Sequence, residues 1–141
     1  MDTGLLHAHS YLRYFVLILL LVVIVKALNG MINKKPFGQW DNKFSLYLLI
    51  ATHLQLLFGL VLYFVSPQVQ FGPETMTTYR YWTIEHGLIM IIAIGLITAA
   101  RVTSKKMTAD IDKHKRLYVF NMIALILILL AIYMSGRKLV G

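Results

Sequence analysis

The sequence predicts an all-α membrane protein, a single domain (1–141) of four transmembrane helices in an antiparallel up-down-up-down bundle with both termini outside. Three observations predict it. Of 141 residues, 58% are hydrophobic and only 14% are charged, whereas a soluble domain carries about 25% charged residues. Four apolar runs of 18 to 22 residues, at 11–28, 44–65, 82–100 and 117–134, match the ~20 residues that cross ~30 Å of hydrocarbon at ~1.5 Å per residue. The lysines and arginines, finally, collect in alternate connections.

The first run follows His7, His9 and Ser10 and is expected to end at Asn29-Gly30, with Pro36 beyond. It has neither the basic leader nor the small-residue cleavage site of a signal peptide, so it is expected to be retained. The second run carries Thr52, His53 and Gln55 inside otherwise apolar sequence and stops at Ser66-Pro67. Gly72-Pro73 lies in the loop that follows. The third run opens on Tyr79, Tyr81 and Trp82, an aromatic girdle, and carries Glu85-His86 one turn inside. Phe37 and Trp40 are expected to form the girdle at the other boundary. The fourth run holds Asn121 and closes at Ser135-Gly136.

Ten cations (Lys26, Lys34, Lys35, Lys43, Arg101, Lys105, Lys106, Lys113, Lys115 and Arg116) flank the first and third loops. Only Arg13, Arg80, Arg137 and Lys138 flank the opposite side. Basic loops stay cytoplasmic, so loops one and three are expected inside. The net charge of +8 thereby orients the chain and meets anionic head groups. No basic run is interleaved with stacking aromatics, which argues against nucleic acid. The absence of cysteine excludes disulfides, thiolate metal sites, iron–sulfur clusters and covalently attached haem.

Ionisable groups inside a membrane helix cost about 2.5–3.5 kcal/mol on insertion scales and mark candidate functional sites. Here they are His9 and Arg13 on the first helix, His53 on the second, and Glu85 and His86 on the third. A single such histidine is commonly a neutral side chain bonding a neighbouring helix. Glu85 and Arg13 could simply snorkel, and His7 and His114, near charged ends, are expected to be solvated. Met90 and Met122 are expected to pack.

Three histidines on three helices suit an iron or copper centre, because neutral imidazole is the usual ligand and bundle interiors build such sites. Bis-histidine haem requires two of them level on different helices. Counted from the run boundaries, His53 lies about 18 Å deep and His86 about 6 Å. Either neighbouring pair can be levelled by tilt. His53 with His86 is preferred, since both lie within runs, but a first helix beginning near Thr3 favours His9 with His86. Arg13 and Arg80 could receive propionates. Gln55 or Glu85 could bond a ligand's second nitrogen. Gly59, Gly87, Gly95 and Ala93 remove bulk, as a macrocycle needs and as close helix packing also needs.

The segments HAHSYLRYFVLILLLVVIVKA, THLQLLFGLVLYFVSPQVQF, EHGLIMIIAIGLI and KHKRLYVFNMIALILIL resemble a family of small four-helix proteins of Bacteroidetes-type bacteria labelled cytochrome b-like. THLQLLFG is also similar to parts of haem A synthase. The resemblance implies His9, Arg13, His53, Gln55, Glu85 and His86 as site residues, one non-covalent haem b, and the bacterial inner membrane. The expected function is an electron-transfer or accessory subunit of a respiratory chain, with a membrane-protein partner or homo-oligomer and a quinone as expected partners, rather than a complete enzyme. The alternatives are a cofactor-free structural subunit, or a copper or metal-ion handling protein that uses His9, His53 and His86.

Overall fold

The computed structural model describes residues 3–65 and 73–134, with side chains at all of these except 3–7, 9, 62–65, 73–86 and 134. Ser66-Pro67, Gly72, Ser135-Gly136, Arg137 and Lys138 lie outside the described residues, as do the side chains of Tyr79, Tyr81 and Trp82. Among the described residues there are four helices: α1 (Thr3–Ile32), α2 (Gln39–Val65), α3 (Pro73–Lys105) and α4 (Asp110–Met134). Each is long and apolar enough to cross a membrane.

The helices run beyond the apolar stretches. At 25 to 33 residues they span about 38–50 Å, more than the ~30 Å hydrocarbon core. An apolar run marks only what can sit in lipid; the helix itself continues until a cap stops it. α3 starts at Pro73, whose missing N–H costs nothing at a first helical position. α4 starts seven residues ahead of its apolar run, with Asp110 and Asp112 in the first turn, where carboxylates complement the helix dipole. At α2, Gly38 is the N-cap, and its N–H donates to Asp41 Oδ2 at 2.8 Å, one half of a capping box.

Asn29-Gly30 does not end α1. The stop is a Schellman motif four residues further on, in which Lys34 adopts the left-handed conformation (φ 52°) and Lys35 N–H bonds to the Gly30 carbonyl at 3.0 Å. Glycine is spent at position 30 on a close contact rather than on the turn.

Around the bundle, α1 packs on α2 and α4, and α3 on α4 and α2. Among the described residues α1 and α3 share no seam, so they stand diagonally, and the α2–α3 seam is the thinnest. Buried positions recur at spacings of three and four: Val16, Leu20, Val23 and Ala27 on α1; Ala93, Ile97 and Ala100 on α3; Leu117, Asn121, Ala124 and Ile128 on α4. The alanines let backbones approach closely. Ile18, Leu57, Ile92 and Leu129 are among the large apolar side chains left exposed, as lipid contact requires.

Candidate functional site

One end of the bundle carries loops one and three, and its polar side chains are built into the packing. His114, expected in solvent, is 1% exposed. Because α4 begins at Asp110, His114 falls on its buried stripe, which then runs His114, Leu117, Asn121, Ala124, Ile128 and Ala131. Its Nε2–H donates to the Lys35 carbonyl at 3.0 Å, and its ring lies 5.3 Å from that of Phe37. Phe37 thus packs on the His114 ring, whereas Trp40 is exposed, its ring 5.7 Å from that of Phe44 and tilted by 38°. Extending the helix-four spacing three residues upstream of Leu117 would have found His114.

Arg101, expected as a loop-side cation, is also buried (7%). Its Nη1 donates to the Asn42 carbonyl at 3.0 Å, Asn42 Oδ1 at 3.1 Å and Ser45 Oγ at 2.6 Å. All three contacts come from this one nitrogen, whose two hydrogens are shared among the three acceptors. Arg116 donates to Thr103 Oγ1 at 3.0 Å, and Lys26 pairs with Asp41 at 3.4 Å. These contacts tie all four helices together at one end.

They also fix the register. Lys26 faces Asp41 and Arg101 faces Asn42 and Ser45, so antiparallel counting at about 1.5 Å per residue compares depths along α2. His9, seventeen residues back from Lys26, comes level with position 58 of α2. His86, fifteen residues back from Arg101, comes level with positions 57–60. Counting along α4 from Gly30 against His114 and from Thr103 against Arg116 agrees to within two residues. His9 and His86 are thus at one depth, on diagonal helices.

His53 is elsewhere. It lies five residues, or about 8 Å, nearer the loop end than that level, and its side chain is exposed on the outside of α2. Its Nδ1 sits 2.8 Å from the Leu49 carbonyl of its own helix. The pairing of His53 with His86 rested on a first helix beginning at 11; with α1 starting at Thr3, the level pair is His9 and His86.

Gln55 is on the inner face of α2, 9% exposed, one turn from the histidine level, and its Oε1 has no partner among the described residues. Thr52 and Asn121 are buried too, their hydroxyl and amide donating to the Leu49 and Leu117 carbonyls. Arg13 is half-buried and about 6 Å deeper than His9. Arg80 lies on α3 about 9 Å beyond His86 on the other side. The side chains of His9, Arg80, Glu85 and His86 are not among those described. Of the small residues, Ala93 is fully buried, whereas Gly95 is exposed. A Cβ at Gly87 would meet nothing within 4 Å among the described residues. Among the described residues no three His, Asp or Glu side chains cluster to hold a metal ion. The chain matches no protein-family model, no curated protein and no solved structure.

Proposed function

We propose that this chain is a b-type cytochrome of a bacterial inner membrane, with His9 and His86 holding one haem b between α1 and α3. The observation that carries the reading is their equal depth on diagonal helices. A bis-imidazole iron needs ligands on opposite faces of a flat macrocycle, and diagonal helices supply opposite sides of the interior.

The surroundings fit the group. Gln55 Oε1, buried and orphaned one turn away, suits the second N–H of an axial histidine. The thin α2–α3 seam leaves room. Arg80, beyond the pair, is the better placed of the two arginines for outward propionates, and Arg13 stands on the deeper side. The bound haem would supply one-electron redox chemistry; the chain's own part is axial ligation, an apolar shell and these cations.

By the positive-inside rule, loops one and three face the cytoplasm and both termini face out, which puts the haem near the outer surface. One haem there does not bridge a ~30 Å core. The role is therefore an electron-transfer or accessory subunit that exchanges electrons with a membrane-protein partner or a quinone. The competing reading is a cofactor-free structural subunit. It draws support from His114 and Arg101, which use buried polarity purely to tie a loop and a helix to the bundle.

Visible spectra of the detergent-purified protein, oxidised and dithionite-reduced, decide between them. A b-type spectrum that is lost in His9→Ala and in His86→Ala but kept in His53→Ala is expected. A colourless protein from haem-replete cells overturns the cytochrome reading, and haem loss in His53→Ala overturns the ligand assignment.

A further inference from the structure

We infer that the gap between α2 and α4 at the loop end of the bundle binds one water molecule, held by His114, Asp41 and Lys26. Among the described residues these two helices share no seam, so they face each other across a diagonal. Lys26 and Ala27 of α1, Asp41 and Phe44 of α2, and His114 and Leu117 of α4 line a small cavity there. Its water-accessible volume is about 10 Å³, close to the least that holds one water.

One atom of this lining calls for a partner. A carbonyl oxygen only accepts, so the bond from Nε2 to the Lys35 carbonyl at 3.0 Å uses the hydrogen on Nε2. In the neutral ring Nδ1 is then a lone pair. His114 is 1% exposed, and its Nδ1 has no hydrogen-bond partner among the described residues. A buried acceptor left without a donor is costly.

The nearest donor of the chain itself falls short. Lys26 Nζ pairs with Asp41 Oδ1 at 3.4 Å and lies 5.9 Å from the centre of the Phe44 ring. It is beyond hydrogen-bond reach of Nδ1.

The occupant follows from size and charge. A cation would meet the Lys26 ammonium, and an anion would meet the Asp41 carboxylate and the Nδ1 lone pair. A neutral molecule that donates twice and accepts once suits all three groups. Water gives one hydrogen to Nδ1 and the other to Asp41, and takes one from Lys26. The carboxylate has capacity for it: its oxygens receive Lys26 and the Gly38 N–H, and each carries a second lone pair. Three hydrogen bonds are the usual complement of a buried water. They would join α4 to α2 across the diagonal, a link that packing between these helices does not supply. The site stands independently of the haem reading.

The test uses the full chain in liposomes, labelled with nitrogen-15 at histidine, and solid-state NMR with magnetisation transferred from water protons. Loss of signals in His114→Gln identifies those of His114. Nδ1 is expected at the shift of a hydrogen-bonded acceptor, to receive magnetisation from water, and to keep both properties in Lys26→Met. Ala27→Val, which adds two methyl groups to the cavity wall, should abolish the transfer while the Nε2–H signal stays. An Nδ1 at the shift of a free lone pair, with no transfer, overturns the inference in the unmodified protein, whether or not that variant folds. So does loss of the Nδ1 bond in Lys26→Met, which would make the lysine the direct donor, or a bond that forms only when ammonium salts are added. Undiminished transfer in folded Ala27→Val would put the water outside this cavity and overturn it too.

Discussion

The His114 imidazole occupies the space in which a side chain at Gly30 would stand: a Cβ built there would fall within 2.6 Å of Nδ1. This contact joins the end of α1 to the start of α4, and the same ring holds loop one through the Lys35 carbonyl. Exchanging glycine for alanine inside a helix ordinarily stabilises by about 1 kcal/mol. Here Gly30→Ala must displace a buried ring, and overpacking costs about 1–3 kcal/mol, so net destabilisation is expected. Thermal unfolding in detergent measures it. In a His114→Ala background the sign should reverse, because the obstructing ring is gone; equal effects in both backgrounds would show that the two residues are uncoupled.

Removing His114 also leaves the Lys35 carbonyl without its ring donor. His114→Phe conserves the ring but not the donor and is expected to cost about 1–3 kcal/mol. Loop one should then be cleaved faster by added protease while the spans stay protected. An unchanged cleavage rate would mean that the Schellman turn at Lys34 holds the loop without help.

Arg101 serves three acceptors at the start of α2. Arg101→Leu should destabilise by about 3 kcal/mol, since hydrogen bonds to a charged group are worth roughly 1.5–3 kcal/mol and the acceptors stay partly buried. Arg101→Lys should recover only part of this, for the lysine side chain is shorter and its ammonium stops short of where Nη1 stands. Full recovery by lysine in denaturation midpoints would reduce the site to a point charge.

Lys26 and Asp41 form one ion pair but should not be equivalent. The pair is partly exposed, so Lys26→Met should cost no more than about 0.5 kcal/mol and show a weak salt dependence. Asp41→Ala loses in addition the cap on Gly38 N–H, for a further ~1 kcal/mol. The order of the two unfolding midpoints checks this, and a larger loss from the lysine variant would contradict it.

For the haem reading, Gln55 supplies a graded test. Gln55→Leu removes a buried carbonyl oxygen that has no partner among the described residues. Stability of the haem-free protein should be unchanged or slightly raised, by up to about 1 kcal/mol. The midpoint potential of the haem-loaded protein should shift if that oxygen bonds an axial imidazole. An unmoved potential would remove Gln55 from the site.

The number and approximate placement of the spans were written in the sequence, because crossing hydrocarbon demands about twenty apolar residues whatever surrounds them. Short polar connections likewise implied antiparallel neighbours. Composition does not tell which of several polar residues faces inward, since successive residues turn by about 100° and the inward direction is set only by the neighbouring helices. His53 looked interior by depth yet lies on the outside, two residues from Gln55, which lies within. His114 looked like a loop residue, because charged neighbours hid the first turns of α4. Once the Lys26–Asp41, Arg101–Ser45 and Gly30–His114 contacts set the register, His9 and His86 came level. Run length and composition alone dictate four apolar helices and a short roster of polar candidates. Only the packing of those helices, through phase and register, decided which candidates can meet.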